Sequence, residues 1–264
     1  MVAARRDPAE ALPAVTRFVA IPLAGALLFL LFLHLGFPYD RLAERLADRL
    51  GQATQTQIRF SELAPRLSLL GPGLEAAGVR ATPAGGAPVE IEHAFLRPAW
   101  SLAWLRGRPA LHLDLMGVDL ANLPLETALP GASLLGKADL RVDLVLGGEA
   151  LEASTRFQAR DGGIGLPGLP AQVPFTSFAG ELAYGGENLL ELASTTLEGP
   201  LVQVLASGNL GRGASVADSP LQLDLDVTAQ PGALPALQAA GLDLGPDGHR
   251  KLQLTGTPAR PEIR

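Results

Sequence analysis

The sequence predicts a mainly β protein: an N-terminal membrane-crossing helix and a short amphipathic helix, followed by an antiparallel β-sheet. Three observations predict it. Residues 18–37 run for twenty positions without a charge. From about Gln57 onward, apolar and polar residues alternate with period two, the pattern of strands with one dry face and one wet face. Thirty glycines and twenty-two prolines in 264 residues supply turns at short intervals.

Residues 1–17 form a cytoplasmic arm carrying Arg5, Arg6 and Arg17. The anchor follows over residues 18–37. At about 1.5 Å per residue it covers about 30 Å, the thickness of a bilayer's hydrocarbon core. Thirteen of its residues are Leu, Ile, Val or Phe. The positions that carry the insertion are Phe18, Ile21, Leu23, Leu27, Leu28, Phe29, Leu30, Leu31, Phe32, Leu33, Leu35 and Phe37. Pro22 and His34 sit near its two ends, where the bilayer is most forgiving. A buried core helix would carry a polar face, and this one has none. A cleaved signal would place small residues just after the apolar run, but Leu35, Gly36, Phe37, Pro38 and Tyr39 give no such pattern. Three arginines on each side tie the charge count. The segment after the anchor exceeds two hundred residues, and long domains translocate largely regardless of charge. The arm therefore stays inside and the large domain is exported.

Residues 38–51 read as a juxtamembrane amphipathic helix. Leu42, Leu46 and Leu50 recur every fourth position, with Asp40 as N-cap and Gly51 as terminator. Tyr39 suits the membrane interface. Arg41, Arg45 and Arg49 form a ridge that either reaches lipid phosphates or solvates the outer face.

Residues 52–264 form the β-rich domain. Alternation marks strands around Ile58 and Phe60, Val89 and Ile91, Leu111 to Leu115, and Leu140 to Leu146. It continues at Ala153 to Phe157, Leu182 and Tyr184, Leu221 to Val227, and Leu252 and Leu254. Turn signals separate them, among them Gly85 with Gly86, Gly147 with Gly148, Asp161 with Gly162 and Gly163, and Asp247 with Gly248. Residues 99–105 and 233–240 read as short helices. The Gly- and Pro-rich stretch 161–174 is a candidate subdivision.

The net charge of −6 and the lack of a basic run beyond the anchor argue against nucleic acid. With no cysteine, disulfide frameworks, thiol catalysis, zinc ribbons and iron–sulfur clusters are excluded. His34, His93, His112 and His249 are scattered, without metal-ligand spacing or a nucleophile elbow. Gly163, Gly165 and Gly168 fit a dinucleotide fingerprint as a string. Pro167, Pro170 and Pro174 forbid the helix such a site needs, so the stretch reads as a loop. Asp114, Asp139, Asp143, Asp224 and Asp226 occupy alternate strand positions, as on any wet face. Asp224 and Asp226 have weak cation binding as an alternative. Trp100 and Trp104 would share a helix face in packing. The residues thus predict no catalytic, cofactor or metal site, and no enzyme.

The entry Phe37, Pro38, Tyr39, Asp40, Arg41, Leu42 through Gly51 resembles that of type II secretion system protein N (GspN). Ile58 to Leu63 resembles the family's first strand, and Leu96, Arg97, Pro98 with Leu105 to Pro109 its Arg- and Pro-punctuated link. The ending, Gly256, Thr257, Pro258 to Pro261, is similar to its closing strand and to AsmA-like envelope proteins. The resemblance implies a single-pass bacterial inner-membrane protein with its C-terminal domain in the periplasm. Its partners would be platform subunits or the secretin of the secretion machine, and its role would be assembly or export. The AsmA-like side of the resemblance implies an elongated, curved antiparallel β-sheet, and phospholipid as an alternative partner, held on or conducted along an apolar β-groove.

Overall fold

The structure, a computed structural model, describes residues 21, 24–25, 28–29, 39–54, 56–68, 71–83, 86–99, 107–123, 131–145, 152–165, 172–185, 188–239, 244–258 and 260–263. Two compact units divide the chain, Met1–Leu42 and Ala43–Arg264. Of the predicted anchor, Ile21, Ala24, Gly25, Leu28 and Phe29 are described; they are helical and exposed, Ile21, Leu28 and Phe29 by 64–70%. The other anchor positions lie outside the described residues. Among the described residues, no helix is long and apolar enough to cross a membrane.

Helix α1 spans Tyr39–Thr54 and so continues past Gly51, the expected terminator. Gly51 has another use: a Cβ there would sit 2.7 Å from the Thr56 carbonyl oxygen, where the chain folds back into the first strand.

Among the described residues thirteen strands follow: β1 (Thr56–Arg59), β2 (Glu62–Ser68), β3 (Gly71–Pro83), β4 (Val89–Pro98), β5 (Ala110–Asp119), β6 (Ser133–Val145) and β7 (Glu152–Gly165). Then come β8 (Val173–Tyr184), β9 (Leu190–Glu198), β10 (Val202–Leu210), β11 (Leu221–Ala229), β12 (His249–Thr257) and β13 (Arg260–Ile263). A short helix α2 (Leu234–Ala239) lies between β11 and β12, where a short helix was expected. The other expected short helix, with Trp100 and Trp104, lies outside the described residues.

All thirteen strands join one open antiparallel sheet. From β3 to β13 the spatial order is the chain order. β1 and β2 lie end to end along β3, β1 on Arg80–Pro83 and β2 on Gly71–Ala77, so the thirteen strands fill twelve places. Each edge ends in a strand carrying a proline, Pro65 in β2 and Pro261 in β13. Proline has no N–H to offer, which discourages further strand pairing at that point.

The expected turn at Asp161, Gly162 and Gly163 is instead part of β7. Pairing with β6 slips there between Leu135 and Lys137, and Asp161 takes a left-handed φ of 49°. The bulge re-aims the strand ends, so that Ile164, Val173 and Phe175 join the core around Phe178. β7 and β8 stay paired from Ala153–Tyr184 to Ile164–Val173, so the pairing runs into both ends of the stretch 161–174, the candidate subdivision.

A second bulge lies in β5 between Leu115 and Val118. Gly117 takes φ 65°, its N–H donates to Asp139 Oδ1 at 3.0 Å, and a Cβ would meet the Glu92 carboxyl carbon at 2.5 Å. Gly117→Ala is expected to cost about 1–3 kcal/mol in denaturant unfolding. A neutral result would mean that the bulge does not need its glycine.

Candidate functional site

In an antiparallel sheet, residues directly opposite one another share a face. Along one face the register lines up ten strands in a single row: Leu74, Leu96, Leu113, Val142, Thr155, Leu182, Leu192, Gly208, Leu223 and Leu254. At about 4.8 Å per strand this row runs for about 43 Å. A parallel row carries Ala94, Leu115, Leu140, Phe157, Gly180, Thr195, Ala206, Leu225 and Leu252.

What covers these rows decides their role. A third row, Val118, Ala138, Ala159, Phe178, Leu197, Val204 and Val227, lies along one margin. There Leu120, Ala233, Leu237 and Leu244, from the segments after β5 and β11, pack on it and bury Ala138, Ala159, Leu197 and Val227 to 7% exposure or less. Phe178 stacks obliquely between Phe157 and Phe175, with ring centroids 5.0 and 5.7 Å away. Away from that margin no second layer is described. Every member of the ten-strand row is half-buried. A sheet normally buries its apolar face against another layer, and among the described residues that face is roofed along one margin only.

The opposite face is charged. Cross-strand pairs stud it: Arg66 with Glu75 at 2.9 Å, Arg108 with Glu152 at 2.8 Å, Arg141 with Asp114 at 3.0 Å, and Arg156 with Glu181 at 2.5 Å. Their side chains are mostly a third exposed or more, so each contributes at most about 1 kcal/mol. Lys137 donates to Glu92 at 2.5 Å. That hydrogen bond and then its charge hold the Glu92 carboxyl below the usual carboxylate range, and Glu92 holds the Lys137 ammonium above its usual range. The lowered carboxyl contributes stability that is lost as pH falls through its folded value. The raised ammonium contributes stability that is lost as pH rises through its own. The difference in unfolding midpoint between wild type and Lys137→Met should therefore stay flat from about pH 6 to 9 and shrink below the usual carboxylate range. A difference that varies across neutral pH would assign the effect elsewhere.

The five carboxylates noted in the sequence all lie on this face and all have partners. Asp139 takes the Gly117 N–H, Asp224 the Gln253 amide at 3.1 Å, and Asp226 lies 2.6 Å from His249 Nε2. Asp143 and Asp114 flank His112, at 2.6 Å from Nδ1 and 3.2 Å from Nε2. With 7% exposure and a carboxylate at each ring nitrogen, His112 is a cross-strand tie with no lone pair open to a substrate. Alternation had placed it on a wet face; its burial had no signal in the sequence.

An open depression of about 830 Å³ lies across β9–β12. Ser194, Thr196, Leu205, Ser207, Asp224, Asp226, Lys251 and Gln253 line it, so it opens on the charged face. Of the dinucleotide-like string, Gly163 and Gly165 lie in β7. Among the described residues, no three His, Asp or Glu side chains are grouped to hold a metal.

The surface that stands out is thus the half-roofed apolar face. No family model matches the chain, and no curated protein or solved structure does either.

Proposed function

We propose that this chain is a non-catalytic envelope protein, held at the inner membrane by residues 18–37, whose periplasmic sheet binds acyl chains on its uncovered apolar face. One observation carries the reading: the half-buried ten-strand row, seven of its members leucine, with no second layer over it among the described residues. Each buried methylene gains about 0.8 kcal/mol relative to water, so the face attracts apolar chains from an aqueous compartment. Between a bilayer and this face the exchange is apolar to apolar and near balance. That suits carriage along the sheet better than storage. An elongated, curved sheet of the AsmA-like kind fits this use.

The second reading keeps the protein in the type II secretion machinery, in contact with platform subunits or the secretin. It is favoured by the edge of the sheet: β13 runs beside Leu254–Thr257 of β12, and Lys251, Leu252 and Gln253 extend beyond it. A partner strand added there would bind through main-chain hydrogen bonds.

A photoreactive amino acid placed in the full-length chain in cells separates the two. With the probe at Leu113 or Leu192, phospholipid adducts are expected, and none with the probe at Ser207 on the charged face. Adducts confined to secretion subunits would replace the first reading with the second. An absence of both would sink the apolar face as a binding surface.

A further inference from the structure

We propose that helix α1 is an interfacial helix that rests on anionic phospholipid through one flank only, its arginine side. The inference rests on reading residues 18–37 as the anchor. Pro38 alone separates that stretch from Tyr39, the first residue of α1, so the helix begins where the chain leaves the bilayer.

The argument is one of angular position. At about 100° per residue, Tyr39, Leu42, Ala43, Leu46, Ala47, Leu50 and Ala53 fall in an arc of about 140°. Leu42, Ala43 and Ala47 are half-buried. Positions 41, 45 and 49 border one side of this arc within about 80°, and all three are arginine. Positions 40, 44 and 48 border the other side, and all three are acidic. Arg41, Arg45, Glu44 and Asp48 are exposed. Three positive and three negative residues leave the helix with no net charge, so overall attraction does not bring it to a surface. Their segregation does something else. With the apolar arc pointing straight down, both flanks would lie at one depth. Next to anionic headgroups the helix lowers its free energy by rolling, arginines down and carboxylates up into water. Each arginine near such a surface is worth about a fivefold gain in surface affinity. The effect extends about 8–10 Å in physiological salt, so only a helix already at the surface benefits.

A chain without cysteine takes single labels cleanly. The full-length protein would carry a nitroxide at Glu44→Cys, Gln52→Cys or Leu28→Cys, in phosphatidylcholine vesicles with or without phosphatidylglycerol. With phosphatidylglycerol, the Gln52 label, on the arginine side, is expected to sit deeper than the Glu44 label by oxygen against nickel-chelate accessibility. That difference should vanish in phosphatidylcholine alone and in the Arg41→Ser, Arg45→Ser background. Equal depths in both lipids would overturn the roll. Labels 44 and 52 both in water while label 28 stays shielded would overturn the interfacial helix and leave the anchor standing. A label at 28 in water would overturn both. Protection at 52 that ignores lipid charge would assign the flank to a protein partner instead.

Discussion

Phe175→Ala is expected to lower the unfolding free energy by about 3–5 kcal/mol, the largest stability effect of any substitution considered. Phe175 is 2% exposed and sits where three features meet. Its ring lies 5.7 Å from that of Phe178 at 55°, joining the roofed margin to the strand ends beyond the β7 bulge. It also fills the space beside Gly162, where a Cβ would come within 2.4 Å of its Cζ and 2.1 Å of the Leu135 carbonyl oxygen. That leaves the site unable to collapse cheaply after truncation: the neighbouring backbone is already in contact, and the bulge holds it in place. For a folded unit of this size the loss corresponds to about 6–20 °C in thermal midpoint. Thermal and urea unfolding of the detergent-solubilised protein would measure it. A loss below about 1 kcal/mol would show that the margin core closes without its central ring.

The largest functional effect is expected from Leu113→Asp combined with Leu192→Asp. Both leucines belong to the ten-strand row and both are half-buried. Because they are already partly in water, the new carboxylates stay hydrated and the sheet should still fold, with an unchanged far-ultraviolet circular dichroism spectrum. A chain lying along the row would, however, have to strip water from a charge at two points. Removing a carboxylate's hydration without a partner costs several kcal/mol, so labelling by a photoreactive phospholipid is expected to fall at least about tenfold. Ser207→Asp on the charged face should leave labelling unchanged. Equal labelling of the double variant and wild type would place the lipid elsewhere and remove the main support for the acyl-chain reading.

Much of this sheet was legible in the alternation. Leu140, Val142 and Leu144 against Asp139, Arg141 and Asp143 told strand, face and wet side at once, as did Leu221 to Val227. The strands that escaped notice have physical reasons. β3 reads GPGLEAAGVRATP, with glycine, proline and alanine where bulky alternation would be expected. In β9 and β10 the period breaks at a register shift between Ala206 and Gly208, and Pro261 disguises β13. Asp161, Gly162 and Gly163 have a turn's composition, yet the left-handed residue serves a bulge inside a strand. The candidate site was half legible. Alternation tells that one face is drier than the other, but it carries no information about what lies on top. That, among the described residues, the apolar face is roofed where Leu120, Ala233, Leu237 and Leu244 reach it is a tertiary fact.

The unbroken match of strand order to chain order from β3 to β13 bears on how such a domain is made. From β3 onward each strand finds a partner in the strand just before it, so no distant piece of chain must arrive before pairing starts. A chain that emerges progressively from β1 onward can therefore zip up one strand at a time, each new edge serving as template for the next. The same plan makes the domain's span adjustable. Adding or deleting one hairpin changes its width by about 10 Å and leaves every other pairing as it was.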